Sequence, residues 1–461
     1  MQVGEAMHRI LGHYVATSWV IFGAIEAAVL AAGCAAVFSH VYSGFGFSAL
    51  GLSAFAITLS LGIVALMHSA GLYQGDAVLN LSRTLWRFVA MALPVFALAV
   101  WITGTLAHHS AVAIYPYRWQ CTFALTGAWL FCALMLRLML REIYRHGLLT
   151  RRVLLVGTPE KAAELSELAR ESDERFRLVG QLDPRFENEP ECPRSLASLA
   201  SSLRASEIVI AIDNGPLPWS LLVRCRMAGI RVTDFLDFYE REGRRIRIDS
   251  LREEWIALSR GFTAPRSKDR LRRMSDILLA LLGFVATAPV LLVTSLAIKL
   301  EDGGPVLYRQ ERIGLEGRPF TLYKFRSMRE DAERDGTPAW ASERDMRITG
   351  VGRIIRKLRI DELPQFWNVL RGDMTLVGPR PERPYFVGQF SQSIPFYDFR
   401  HAVRPGITGW AQVSFRYGAS LEDTRRKLSY DLYYIKNRGI LLDVVILLKT
   451  VSVVLRGEGA R

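Results

Sequence analysis

Four long apolar stretches crowd the first third of the chain, at about residues 14–38, 47–70, 84–106 and 119–140. At 1.5 Å rise per residue each can cross a hydrocarbon core of ~30 Å, so the pattern predicts four transmembrane helices. The connector 39–46 has no Lys or Arg and 107–118 has only Arg118. The connector 71–83 carries Arg83, with Arg87 just beyond it, and the fourth stretch exits through Arg141, Arg145, Arg151 and Arg152. By the positive-inside rule both ends of this bundle lie in the cytoplasm. Glu26 sits within the first stretch, where an ionisable group calls for a partner such as Arg137 on the fourth, or for a pocket between helices.

The pattern changes at residue 151. RRVLLVGTPEKAAELSELARES reads as a buried strand, a turn and an amphipathic helix, and EIVIAIDN at 207–214 as a second buried strand. The turn holds Gly157 but none of the further glycines of GxGxxG, and Pro159 and Glu160 stand where a pyrophosphate needs close backbone approach. The expectation is a Rossmann-like fold without a dinucleotide fingerprint. A basic, irregular segment at about 240–275 follows.

Residues 277–298 carry no charge and are long enough to span a bilayer. Arg266, Lys268, Arg270, Arg272 and Arg273 precede them, however, and a strongly basic region of more than a hundred residues follows. Spanning would translocate that region against the charge bias. Pro289 also interrupts the helix. A re-entrant helix over 276–299, bending at Ala288-Pro289 and returning to the same face, satisfies both constraints; a spanning helix or a buried one are the alternatives. Beyond it PVLYRQERIG, PFTLYKFRSM, the segment beginning DELP and LEDTRRKLSYDLYYIKN alternate strand and helix patterns. The tail GILLDVVILLKTVSVVLRG, interrupted by Asp443 and Lys449, suits a helix in the membrane interface or packed on the domain.

The predicted organisation is therefore a membrane protein: an α-helical N-terminal bundle (1–146), an α/β Rossmann-like cytoplasmic domain (147–250), a linker (251–267) and an α/β monotopic catalytic domain (268–461) with a re-entrant membrane helix. Composition agrees: 50% of residues are hydrophobic and mean hydropathy is +0.16, high for a soluble protein. A net charge of +13 suits an anionic partner, whether nucleic acid, acidic lipid or phosphorylated substrate. Cys34, Cys121, Cys132, Cys192 and Cys225 show neither CxxC nor Cys/His spacing, so no disulfide framework or zinc site is expected. The first apolar run is too long for a cleaved signal peptide.

Chemistry concentrates in IRKLRIDELPQFWNVLRGDMTLVGPRPERP, residues 355–384. Asp361 and Glu362 precede Pro364, and proline is tolerated in a first helical turn, so the pair is expected to open a helix. Taken alone it reads as a helix cap. Adjacent helical residues point about 100° apart, so the two carboxylates cannot form one symmetrical clamp: one can attack an electrophile while the other holds Mg²⁺. The neighbours favour chemistry. LVGPRPERP presents Arg380 and Arg383, VRPGITGW presents Arg404, KFRSM adds Lys324 and Arg326, and Arg356 and Arg359 lie just upstream. Convergent basic loops beside a metal-binding carboxylate describe a diphosphate site. Recognition-helix, zinc-finger and aromatic RNP patterns are missing, which argues against nucleic acid.

DELPQFWNVLRGDMTLVGPRP, KFRSM and RPGITGWAQV closely resemble the bacterial polyprenyl-phosphate sugar-1-phosphate transferases over about residues 268–461. The bundle and degenerate Rossmann-like domain resemble the large members that initiate exopolysaccharide, capsule or O-antigen synthesis. FYEREGRRIRIDSLREEWIALSRGF resembles an exosortase-associated subgroup. The resemblance implies transfer of a hexose-1-phosphate from a UDP-sugar to undecaprenyl phosphate, with UMP released, at the cytoplasmic face of the bacterial inner membrane. It implies Asp361 as nucleophile forming a covalent phospho-sugar intermediate, and Glu362 as the Mg²⁺ ligand. Arg356 and Arg380 would hold phosphate oxygens, with Lys324, Arg326 and Arg404 near the nucleotide. A homodimer is compatible with it. The family often has Ser-Pro at the helix bend; here it is Ala288-Pro289. The competing readings are a transporter built on the four helices and a nucleotide sensor using residues 151–250.

Overall fold

The structure is a computed structural model. It describes every residue except 1–6, 11–12, 43–55, 65–66, 68–83, 85–87, 89–90, 93–94, 102–103, 105–117, 146–149, 173–174, 184–195, 213–218, 260, 263–265, 331, 333–344, 416–419 and 456–461. A few N-terminal residues aside, the chain forms one compact unit up to Gly243 and a second from Arg244 onward.

In the first unit, the first and fourth apolar stretches form the helices Thr17–Tyr42 and Arg118–Arg145. Much of the second and third stretches lies outside the described residues, but 56–64 and 95–101 are helical. Thr122–Ile143 is apolar and long enough to cross a membrane. Both Nη atoms of Arg137 lie 3.2 Å from Glu26 Oε2, and both side chains are buried. The guanidinium also stacks on Phe22, 4.8 Å from its ring centre. In a low-dielectric setting this pairing offsets the cost of each charge, the role expected for Glu26 when it has a partner.

The rest of this unit is a four-stranded parallel sheet. Its strands Arg151–Gly157, Phe176–Leu182, Glu207–Ala211 and Arg231–Asp234 stand in the order second, first, third, fourth. Helices connect them, and both faces of the sheet carry an apolar core, one around Leu165 and Phe238, the other around Leu196 and Leu222. Burial on both faces is why the first and third strands read as unbroken apolar runs. A methyl group on Gly157 would meet the Ala211 side chain at 2.8 Å, so this glycine serves strand packing.

The second unit begins with a segment tied by Ile246 N to the Ser429 carbonyl, 2.9 Å away. The helix Arg266–Asp302 follows, 37 residues with Pro289 inside it; Asp269–Asp302 is apolar and long enough to cross a membrane. Leu282, Val285, Leu292, Val293 and Leu296 are exposed along it. Its polar ends grip the globular part. Near the start, Arg273 donates to the carbonyls of Val369 (2.6 Å) and Leu370 (2.9 Å), and Asp276 accepts from Thr375 Oγ1 (2.6 Å) and Leu376 N (3.2 Å). Near the end, Glu301 accepts from Val351 N at 3.2 Å, and Ile298 packs with Phe325 and Ile355. Thr287 Oγ1 donates to the Gly283 carbonyl at 2.7 Å, so a hydroxyl bonds to the backbone one turn before Ala288-Pro289 although the Ser of Ser-Pro is absent.

The strands Leu307–Ile313 and Pro319–Phe325 then form an antiparallel hairpin. Helix Gly350–Lys357 is capped by Thr349, whose hydroxyl accepts from Gly352 N at 2.9 Å. Arg359 ends this helical course by taking the left-handed conformation (φ 58°), and Ile360–Glu362 make one 3-10 turn. Pro364 and the helix Gln365–Arg371 follow. The acidic pair was expected to open that helix; it stands one turn upstream, because the break at Arg359 inserts a separate turn between two helices. Strands Thr375–Val377 and Gly406–Thr408 pair in parallel, and helices Leu421–Asn437 and Ile440–Leu455 close the unit.

Candidate active site

A cavity of about 980 Å³ opens within the second unit. Both hairpin strands, the end of helix Gly350–Lys357, the 3-10 turn, the proline-stiffened segment 378–384 and the helices Pro384–Ser393 and Leu421–Asn437 contribute to its walls. Asp361, Glu362, Lys324, Arg326, Arg356, Arg380 and Arg383 all face it. The 3-10 turn is short and fixed at both sides, by Arg359 in its left-handed conformation and by Pro364. It therefore presents two adjacent carboxylates in different surroundings.

Glu362 is enclosed by cations. Lys324 Nζ lies 3.2 Å from its Oε1, Arg380 Nη2 2.5 Å and Arg359 Nη1 3.6 Å. Burial alone would raise the Glu362 carboxyl, but Arg380, Lys324 and Arg359 outweigh it and hold it far below the usual range. Asp361 is the opposite case. It is also buried, yet its carboxylate makes no hydrogen bond or ion pair with the described residues. Burial first and the Glu362 charge second push its pKa above the ordinary 3.8, against the pull of Lys324, Arg380 and Arg356. One carboxylate is locked and charged; its neighbour is unbonded and more basic, as a nucleophile should be.

The cationic groups divide in a similar way. Arg326 pairs with Asp302 and lies across Gly304, where any side chain would run into the guanidinium. Its Nε, like Nη1 of Arg356, is buried with no hydrogen-bond partner among the described residues. Unmet guanidinium donors in the wall of this cavity are suited to phosphate oxygens. Arg404 does not join this group: it is exposed, and its Nε donates to the Gly372 carbonyl at 3.1 Å, at the C-terminal end of helix Gln365–Arg371. Ala288 and Pro289 lie within the long apolar helix.

The structure adds residues that the sequence reading did not single out. Glu382 and Lys427 form an ion pair in the cavity wall, backed by Arg312 at 3.7 Å. Glu382 sits in the GPRPERP motif between the two arginines noticed there, but its partner is 45 residues away and no spacing rule connects them. Phe386, Phe390 and Phe415 give the cavity an aromatic side.

As to a divalent metal, the described residues hold no group of three or more His, Cys, Asp or Glu arranged to bind one. Two adjacent carboxylates are nonetheless an all-oxygen donor set. Mg²⁺ commonly takes one or two such carboxylates and completes its shell with water and substrate phosphate; of the two, Asp361 has free oxygens, whereas Glu362 is already paired with Lys324, Arg380 and Arg359.

Buried adjacent carboxylates, converging arginines with unmet donors and a long exposed apolar helix describe a site of the kind that enzymes of phosphorylated substrates use. The family model for bacterial sugar transferases matches residues 267–457, and this chain belongs to that family, the polyprenyl-phosphate sugar-1-phosphate transferases. It is 48% identical over 241 residues to a UDP-N-acetylgalactosamine-undecaprenyl-phosphate N-acetylgalactosaminephosphotransferase of Aeromonas hydrophila, covering 52% of this chain and 56% of that protein. It is 43% identical over 183 residues to a UDP-glucose:undecaprenyl-phosphate glucose-1-phosphate transferase of Escherichia coli (strain K12), covering 39% of each. It is 42% identical over 189 residues to an uncharacterised sugar transferase, EpsL, of Bacillus subtilis (strain 168), covering 41% of this chain and 89% of that one. The chain thus spans about half the length of the first of these and less of the second.

Proposed function

We propose that this chain transfers a sugar-1-phosphate from a UDP-sugar to undecaprenyl phosphate at the cytoplasmic face of a bacterial inner membrane, as a first membrane step of polysaccharide assembly. The observation that carries the reading is Asp361: a buried, unbonded carboxylate of raised pKa, in a cavity whose other wall is cationic. In the first step Asp361 attacks the phosphorus that bears the sugar. The diphosphate P–O bond breaks, UMP leaves with the bonding pair, and an acyl phosphate carrying the sugar remains on Asp361. In the second, an oxygen of undecaprenyl phosphate attacks the same phosphorus and Asp361 is released as carboxylate. Arg356 and Arg326, with unmet donors, hold the donor's phosphate oxygens, while Arg380 and Lys324 fix Glu362 and add positive charge. Mg²⁺ held by Glu362, with Asp361 beside it, would screen the diphosphate charge as the two anions approach. The relatives' names leave the sugar open between an N-acetylhexosamine and glucose.

In this reading the bundle spans the membrane, the parallel-sheet domain is Rossmann-like, and the helix Arg266–Asp302 is re-entrant. Support for the last point is that Asp276 and Glu301 both bond to one globular unit, at Thr375 and Val351. The test is UMP release and intact-protein mass in purified enzyme given UDP-N-acetylgalactosamine or UDP-glucose. Wild type should gain a phospho-sugar adduct on the peptide containing Asp361. Unchanged Mg²⁺-dependent UMP release by Asp361→Asn would refute the nucleophile assignment.

A further inference from the structure

The strand that carries Lys324 has an open edge. Among the described residues, Pro319–Phe325 pairs through its hairpin with Leu307–Ile313 on one side only. On the other side, Asn368 Nδ2 donates to the Thr321 carbonyl at 2.7 Å and Asn368 Oδ1 accepts from Tyr323 N at 3.1 Å. A primary amide holds an N–H and a C=O side by side in one plane, as one residue of a paired strand does, so this side chain meets residues 321 and 323 as a neighbouring strand would, while its second N–H faces Asp373 Oδ2 at 3.5 Å. Asn368 is fully buried, and its own carbonyl accepts from Gly372 N and Asp373 N at 3.1 Å, which ties it into the end of its helix. It therefore links the two halves of the cavity. One half is the strand that carries Lys324, ends at Phe325 and leads to Arg326; the other is the helix that begins three residues after Glu362.

We propose that Asn368 is a positioning residue, a side-chain substitute for a β-strand that sets the register of Lys324 against Glu362. Leu322, between the two bonded residues, is buried, so a slip by one residue would turn Lys324 away from Glu362 and expose Leu322. An amide is needed for this. Aspartate of the same shape keeps the acceptor for Tyr323 N, but turns the donor to Thr321 into a repulsive carboxylate–carbonyl contact. Serine is too short to reach both groups.

The catalytic consequence rests on the function proposed above; the positioning itself does not, and the test separates them. Full-length protein in detergent is compared with Asn368→Ser and Asn368→Asp without any donor. Hydrogen exchange of the 319–325 segment should accelerate, and acylation of Lys324 by an amine-reactive reagent should change relative to the other lysines. Unchanged exchange and unchanged Lys324 labelling in both variants overturn the proposal. With a UDP-sugar, Asn368→Ser should lower kcat/KM by about ten- to a hundredfold in wild type but by only about twofold in Lys324→Met, because the coupling runs through that lysine. Equal losses in the two backgrounds would mean that Asn368 supports the fold alone, and would overturn it. Should Asn368→Ser not fold, Asn368→Asp carries the same cycle. Wild-type protein inert toward both donors, with exchange and labelling shifted as expected, counts against the transferase reading and leaves the positioning intact.

Discussion

Lys324 Nζ lies 3.2 Å from Glu362 Oε1, two side chains 38 residues apart that meet inside the cavity. Arg380 and Arg359 approach the same carboxylate. Removing that one anion leaves three cations converging with only Asp361 close by to offset them. Glu362→Gln should therefore cost stability as well as activity, roughly 3 kcal/mol, or about 5–10 °C in the melting temperature of the detergent-solubilised protein. A variant that melts within about 1 °C of wild type would show that the cations relax at no cost.

The two carboxylates should also part company in their response to pH. In the proposed reaction Asp361 attacks as its anion, and burial together with the Glu362 charge raises its pKa above 3.8. The acid limb of kcat/KM, which reports the free enzyme, should accordingly fall at a higher pH than an ordinary aspartate gives. Arg356 is one of the cations that hold this pKa down. Arg356→Gln should move the limb to still higher pH, whatever it does to the maximal rate. A limb that stays put or moves to lower pH would remove Asp361 as the titrating group.

Glu382 gives a stability prediction with a defined window. Burial would raise its carboxyl, but Lys427, Arg400 and Arg312 bring it down from 4.5 to about 2. A carboxyl depressed on folding contributes stability that is present above about pH 4.5 and lost as pH falls through about 2, here roughly 3 kcal/mol. Asp431, pushed up by burial, titrates the other way nearby, so the readout is the difference between wild type and Glu382→Gln. Denaturant midpoints should separate the two proteins at pH 6 and converge toward pH 2. A constant gap across that range would assign Glu382 a packing role only.

How much of this was legible in the sequence depended on distance along the chain. The strands Arg151–Gly157 and Glu207–Ala211 appeared as apolar runs because both faces of their sheet are covered. Seven of the eight residues expected at the site line one cavity because their motifs sit at the ends of short elements. Arg404 lies elsewhere: its glycine-flanked turn looked like a phosphate loop, whereas in the fold it meets the end of helix Gln365–Arg371. The 3-10 turn under Asp361 and Glu362 was hidden by Pro364, which suggests a helix start; the left-handed backbone of Arg359 that displaces it has no composition signal in a non-glycine residue. The Glu382–Lys427 pair and the Asn368 edge contact depend on tertiary neighbours 45 residues away, where pattern rules do not reach.

The path of the long helix makes a prediction that the chemistry depends on. Between Asp276 and Glu301 a straight helix would advance about 37 Å, more than the ~30 Å of a hydrocarbon core. Asp276 bonds to Thr375 and Glu301 to Val351, both within the second unit. The re-entrant path proposed above keeps both bonds, whereas a crossing would put those partners on opposite sides of the membrane. Pro289, with the Thr287 hydroxyl bonded back to Gly283, supplies a place to bend. Cysteines introduced at residues 266 and 310, on either side of the apolar part of the helix, should both be labelled from the cytoplasmic side in membrane vesicles of known orientation. Replacing Pro289 by Leu should straighten the helix and loosen its grip on helix Gly350–Lys357 at one end or on Thr375 at the other. UMP release should then fall even though no residue in the cavity has changed. Labelling of the two positions from opposite faces, or full activity in Pro289→Leu with altered labelling, would separate the site from the helix and remove the bend from the mechanism.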